Sequence, residues 1–168
     1  MALPKIGYPT YELELPSTGK NIKYRPFLVK EEKVLLMALE SQDEKQVTSA
    51  VKDLIKNCVL SRIKVETLPS FDLEYLFLKI RAASIGEVIN LTVTCLDDNE
   101  TKAETVINID DINVFKPEGH TNKIELTDEM GIVMKYPCMQ RFIELDFLQK
   151  ELDTEQVFDL IAESIDQI

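Results

Sequence analysis

The side chains best equipped for chemistry in this chain are few and scattered. A single histidine, His120, sits in the run Lys116-Pro-Glu-Gly-His-Thr-Asn122. Imidazole is a common metal ligand and general base, yet one histidine in a loop composition cannot build a histidine-based metal cluster. It reads as an exposed structural residue. Cys58, Cys95 and Cys138 are odd in number, widely spaced and without a C-x-x-C pair, so neither a disulfide framework nor a zinc knuckle is indicated. A catalytic thiol paired with His120 is the functional alternative, but small buried hydrophobes is the reading free cysteines usually bear. Asp97-Asp98 and Asp110-Asp111 have the chemistry to hold a divalent cation or act as paired carboxylates. The first pair falls in a hairpin turn, where Asp and Asn are favoured for backbone reasons, and the second at a strand end. Arg81 is either an anion ligand or a cap on the negative end of a helix, and its position favours the cap. There is no G-x-G-x-x-G and no Walker loop, and five glycines leave little backbone to wrap a phosphate. No catalytic, cofactor-binding or metal-binding residue follows, and no cofactor.

Composition narrows the classes further. At 168 residues and 45% hydrophobic, the chain is long enough to bury roughly 70% of the surface its unfolded form exposes, so one cooperative domain is expected. A net charge of −11 repels phosphate backbones and anionic headgroups, which argues against nucleic acid and membrane as partners. The basic residues near the start (Lys20, Lys23, Arg25, Lys30, Lys33) are interleaved with Glu12, Glu14, Glu31 and Glu32, a pattern of ion pairing rather than nucleic-acid contact. No apolar run approaches the ~20 residues that span a bilayer, and Met-Ala-Leu-Pro-Lys lacks the apolar core of a secretory signal. Cytosolic synthesis is the expectation.

The elements that position these residues can be read from periodicity. Tyr11, Leu13 and Leu15 alternate with Glu12 and Glu14, and Ile22 and Tyr24 with Lys23 and Arg25, which predicts a hairpin over 11–26. A turn at Ser17 to Lys20 sets Leu15 against Ile22, Leu13 against Tyr24, Glu14 against Lys23 and Glu12 against Arg25, with Gly19 supplying the positive φ. Helices follow over about 29–84: Leu35, Leu36 and Leu39 mark the first stripe, and Val47, Val51, Leu54, Ile55 and Cys58 the second, over about 43–60. The third has Ser70 as N-cap, Leu73, Leu76, Phe77 and Ile80 as its stripe, and Gly86 just past its end. After Gly86 the period becomes two. Ile89, Leu91, Val93 and Cys95 pair with Ala103, Thr105, Ile107 and Ile109 around Leu96–Lys102, and Ile124 and Leu126 pair with Ile132, Met134 and Tyr136 around Thr127–Glu129. Antiparallel strands therefore occupy about 87–136.

The last thirty residues return to helix. Phe142, Leu145, Leu148 and Leu152 recur at steps of three and four, and Asp153-Thr-Glu-Gln156 is a capping box opening a helix with the stripe Val157, Ile161, Ile165 and Ile168. Acidic residues dominate its other face. That face is either simply solvated, or it keeps soluble a helix that lays its apolar stripe on a partner. The expected fold class is α+β: an N-terminal β-hairpin, a three-helix segment, antiparallel β-hairpins and C-terminal amphipathic helices. The expected organisation is a 1–138 α+β domain and a 139–168 helical segment packed on it.

Three stretches, Tyr11 to Ser41 (YELELPSTGKNIKYRPFLVKEEKVLLMALES), Phe71 to Ile89 (FDLEYLFLKIRAASIGEVI) and Gly131 to Pro137 (GIVMKYP), resemble the baseplate hub subunit and hub-assembly family of T-even-type contractile-tailed bacteriophages. The resemblance implies a non-enzymatic protein used in building the tail baseplate hub, as an incorporated subunit or as an assembly chaperone for hub or tape-measure proteins. It places the chain in the host cytoplasm during assembly and in the tail baseplate of the virion. Members are generally longer, with a further cysteine-bearing helical tail that has no counterpart after Ile168, so a short member or a truncated product is expected. No catalytic residues come with the family. The partner-binding residues we single out are Phe142, Phe147, Val157, Phe158, Ile161 and Ile165, apolar anchors for phage hub or tape-measure proteins, with the hairpin edge as a second surface and a homo-oligomer as a further possibility. Two other classes are an acidic inhibitor of a host nucleic-acid enzyme and a small metal-dependent hydrolase built on the two Asp pairs.

Overall fold

In the computed structural model, residues 7–138 and 153–168 are described, and they form an α+β chain of four helices and seven short strands. They fall into two units, residues 7–62 with 74–114, and residues 63–73 with 115–138 and 153–168.

The first unit opens with the expected hairpin, β1 (Tyr11–Glu14) against β2 (Asn21–Tyr24). Its register differs by two residues from the expectation: Leu13 faces Ile22 and Glu12 faces Lys23. A two-residue slip keeps each side chain on its own face, so the hydrophobic pattern is satisfied either way. The turn and Arg25 decide between the two. Leu15 leaves the ladder and closes the turn, donating its N–H to Lys20 at 2.9 Å and accepting from Gly19 at 2.8 Å, with Gly19 at φ +68°. Arg25, expected opposite Glu12, instead turns inward to Glu31. The outer edge of β2 is also covered: Arg25 N–H donates to the Cys58 carbonyl, Leu60 N–H to the Lys23 carbonyl, and Lys23 N–H to Ser61 Oγ.

Two helices run between those stitched ends, α1 (Val29–Glu40) and α2 (Glu44–Cys58). Asp43 caps α2, accepting from the amides of Lys45 at 2.9 Å and Gln46 at 3.4 Å. On α1 the expected stripe is not the buried one. Glu31 and Ala38 face inward with Leu35 half-buried, while Leu36 and Leu39 are exposed together with Val34 and Met37. The third helix, α3 (Ser70–Ile85), already includes Ser70, so it starts one residue earlier than an N-cap at Ser70 predicts. It buries Leu76 and Ile80 completely and ends as predicted, with Gly86 at φ +123° and Arg81 Nη1 donating to the Gly86 carbonyl at 3.1 Å. Leu15, Ile22, Leu54, Ile55, Cys58, Leu76, Ile80 and Ile109 make the core of this unit. Burying each such aliphatic side chain contributes about 1.5–3 kcal/mol.

From Val88 the chain rises into a two-stranded ribbon, β3 (Val88–Thr94) and β4 (Lys102–Asn108), whose pairs include Ile89 with Ile107, Leu91 with Thr105 and Val93 with Ala103, as the period of two predicts. Beyond its base at Ile89 and Asn108, every residue of the ribbon is exposed. Ile109 follows β4 and is fully buried in a short 3-10 turn over Ile109–Asp111.

The second unit carries a three-stranded antiparallel sheet in the order β5-β6-β7: β5 (Lys123–Glu125), β6 (Gly131–Met134) and β7 (Ile165–Gln167). The first two strands are the expected hairpin, with Ile124 opposite Ile132 and Leu126 N–H closing the turn on Met130 O at 2.9 Å. The third strand was not expected. The predicted terminal helix, α4, spans Thr154–Glu163 and stops there, so Ile165 leaves the helical stripe and pairs with Met134 in β7. Lys135 N–H donates to the Ser164 carbonyl at 2.7 Å at this junction. The capping box is as predicted: Gln156 N–H donates to Asp153 Oδ1 at 2.8 Å and Asp153 N–H to Gln156 Oε1 at 3.1 Å. The predicted helical run through Leu145, Leu148 and Leu152 lies outside the described residues, as do Phe142 and Phe147.

Candidate functional site

The reactive side chains are dispersed, and Asp98 is occupied in holding its own turn. Asp98 accepts from the amides of Glu100 at 3.0 Å and Thr101 at 2.9 Å and from the Thr101 hydroxyl, and these bonds hold its carboxyl down to about 2. This is the turn chemistry expected of the Asp97-Asp98 pair. Asp110 pairs with Lys79 at 3.1 Å, and its own N–H is capped by Asn108 Oδ1 at 3.0 Å. The two Asp pairs sit at opposite ends of the β3–β4 ribbon, one in its turn and one at its base, so they do not converge on a cation. No group of three or more His, Cys, Asp or Glu side chains able to hold a metal ion occurs among the described residues.

The cysteines divide. Cys58 is fully buried and burial pushes its thiol up to about 11, the opposite of what a nucleophile needs. Cys95 is exposed and Cys138 half-buried, which corrects the expectation that all three are core residues. His120 is exposed, as expected, and its Nε2 lies 2.6 Å from Tyr136 Oη; Tyr136 in turn meets the Phe71 ring edge-on at 4.9 Å. None of the three thiols is joined to His120.

The strongest polar constellation is structural. Arg25 and Glu31 form a bidentate pair, Nη2 to Oε1 at 2.7 Å and Nη1 to Oε2 at 3.1 Å, with side chains only 9% and 6% exposed. Arg25 also donates to the carbonyls of Pro26 at 2.8 Å and Asn57 at 3.0 Å, and Glu31 Oε2 accepts from Leu28 N–H at 2.6 Å. The guanidinium bond holds the Glu31 carboxyl below the usual range and raises Arg25. The pair fastens the start of α1 to β2 and to the end of α2. Ion pairing in the N-terminal basic cluster was legible, but Glu31 as the buried partner was not. The signal available for it was its position three residues after Leu28, at the start of α1.

Several large apolar side chains are open to solvent. On α4, Val157, Phe158 and Ile161 are 39%, 67% and 50% exposed, while Leu160 and Ser164 turn inward. Ile165 is half-buried in β7. In the first unit α1 exposes Val34, Leu36, Met37 and Leu39, of which Leu36 and Leu39 were expected on its buried stripe. The β1–β2 hairpin keeps one open edge, that of β1, among the described residues, and it carries Glu12 and Glu14.

Exposed apolar patches of this kind commonly mark interaction surfaces. The family described as T4 bacteriophage base plate protein matches residues 8–168, nearly the whole chain. The chain belongs to that family. No curated protein and no solved structure matches it. No helix among the described residues is long and apolar enough to cross a membrane.

Proposed function

We propose that this baseplate-family chain is non-enzymatic and serves the tail hub, as a hub subunit or as an assembly chaperone for hub or tape-measure proteins, by burying its exposed apolar surface against them. The observation that carries the reading is the outward face of α4. Phe158, Val157 and Ile161 stand in solvent on a capped helix that is seated along one edge of this stripe by half-buried Leu160 and by its buried C-cap, Ser164. An aromatic flanked by aliphatics on a rigid helix is the kind of anchor that dominates interface energies. Phe142 and Phe147, outside the described residues, are further candidate anchors from the sequence alone, and half-buried Ile165 lies on the adjoining strand. The acidic residues Glu155, Asp159 and Glu163 on the same helix keep the free chain soluble and set its orientation on a partner. Assembly in the host cytoplasm and residence in the tail baseplate follow from this role.

The test is capture of purified phage hub and tape-measure proteins by the full chain. Phe158→Ala and Ile161→Ala are expected to weaken binding about tenfold or more each, which corresponds to about 1.4 kcal/mol per tenfold. The far-UV spectrum should not change, since both side chains are exposed. Capture unaffected by both substitutions removes α4 from the interface, and recovery of a host polymerase or nuclease in place of tail proteins replaces the reading with that of an acidic inhibitor.

A further inference from the structure

Among the described residues the β3–β4 ribbon is a two-stranded sheet by itself, and it differs from the β1–β2 hairpin in leaving both faces of nearly its whole length in solvent. Isolated two-strand ribbons are marginal in water and gain stability from a third strand or a covering layer. The other outer strands carry charges that discourage pairing: Glu12 and Glu14 on β1, Lys102 and Glu104 on β4, Lys123 and Glu125 on β5, Asp166 on β7. β3 reads Val-Ile-Asn-Leu-Thr-Val-Thr, with no charge and no proline. Among the described residues it is the one outer strand without a charged side chain.

Its register says what fits there. Cys95 N–H donates to Thr101 O and Ile109 N–H to Glu87 O at the two ends of the ribbon. The ladder to β4 therefore runs through the odd-numbered residues of β3, and the amides and carbonyls of Val88, Asn90, Thr92 and Thr94 point outward. We infer that this edge pairs with the β3 edge of a second copy of the chain, antiparallel and centred on Leu91. In that register Val88 meets Thr94 and Asn90 meets Thr92, so all four outward residues find partners. Leu91 meets Leu91 and Ile89 meets Val93, continuing the apolar face that already holds Thr105, Ala103 and Ile107. The result is a four-stranded sheet with the charged β4 strands outermost. Charge selects antiparallel over parallel: a parallel pair sets the acidic turns with Asp97, Asp98 and Glu100 side by side, whereas the antiparallel pair points them apart. The pairing is independent of the α4 surface and of which phage protein that surface meets.

Two experiments on the full chain test it. In a Cys95→Ser, Cys138→Ser background, Leu91→Cys is expected to form a disulfide-linked dimer under mild oxidation, because residues facing across the two-fold in a non-hydrogen-bonded pair have Cα atoms about 4.5 Å apart. Val93→Cys, which faces Ile89, is expected not to link. In sedimentation, the parent chain should run at twice 19.2 kDa, and Leu91→Glu and Leu91→Lys should each run as monomers with an unchanged far-UV spectrum. Mixing those two variants should restore a dimer containing one of each, a gain that misfolding cannot mimic. A parent chain that stays monomeric at tens of micromolar, equal linking at positions 91 and 93, or a mixture that does not pair overturns the proposal, as does an edge filled only by a different phage protein.

Discussion

Replacing Arg25 by methionine isolates what the buried ion pair contributes. The substitution keeps most of the aliphatic stem but removes both bonds to Glu31 and the bonds to the carbonyls of Pro26 and Asn57. Glu31, 7% exposed, is then a buried carboxylate with the Leu28 amide as its remaining donor in this cluster. Removing one partner of a buried pair costs about 3–5 kcal/mol, a large part of the ~5–15 kcal/mol that holds a domain folded. With a urea slope of ~2 kcal/mol per molar, the midpoint at pH 7 should fall by about 1.5–2.5 M, followed by far-UV circular dichroism. The pH dependence gives the sharper check. In the parent the Glu31 carboxyl is held below its unfolded value, so its contribution is present above about 4.3 and is lost as pH falls through the lower folded value. In the variant burial favours the protonated acid, so the penalty is relieved as the solution is acidified. The gap between the two proteins must therefore narrow towards pH 4. Adding Glu31→Leu to Arg25→Met should recover most of the loss at pH 7, since apolar replacement of a whole buried pair is near neutral. A single-variant loss under 1 kcal/mol, a gap that widens in acid, or a double variant no better than the single refutes the reasoning.

Other expectations are simpler. Native-state alkylation at pH 8, read by mass spectrometry, should label Cys95 within minutes and leave Cys58 unmodified until the chain is denatured, because burial raises that thiol to about 11. Asp153→Ala removes the α4 cap and should cost about 1 kcal/mol, seen as faster hydrogen exchange at the amides of Gln156 and Val157. Ile80→Ala empties a fully buried site on α3 and should lower stability by about 2–5 kcal/mol in the same urea assay.

How far the sequence carried these conclusions depended on how local each signal was. The β3–β4 pairing and the α4 capping box were read correctly because alternation and a four-residue cap are complete within a few neighbours. The first hairpin was found but set two residues off. Both registers put the same faces inward, and the tie is broken by Arg25 turning away to Glu31, a contact that strand periodicity does not encode. On α1 valines, leucines and methionine lie on every side, so a stripe can be drawn in several places, and the buried one runs through Glu31 and Ala38. β7 escaped notice because Ile165 continues the helical spacing of Val157 and Ile161. Three residues become a strand there only through β6, more than thirty positions earlier in the chain. The exposure of the ribbon and of α4 was equally hidden, since an apolar face reads the same whether its own fold covers it or not.

Where β2 meets Cys58–Ser61, the entry to α1 and the exit from α2 lie side by side, held by Arg25 on Cys58 and Leu60 on Lys23. Everything between is an excursion that leaves and returns through one doorway. A helical pair mounted this way can be lengthened, recut at its tip between Glu40 and Glu44, or exchanged for another hairpin of helices without rethreading the chain on either side. Related chains are then free to vary that tip to suit different neighbours while keeping the same frame beneath it.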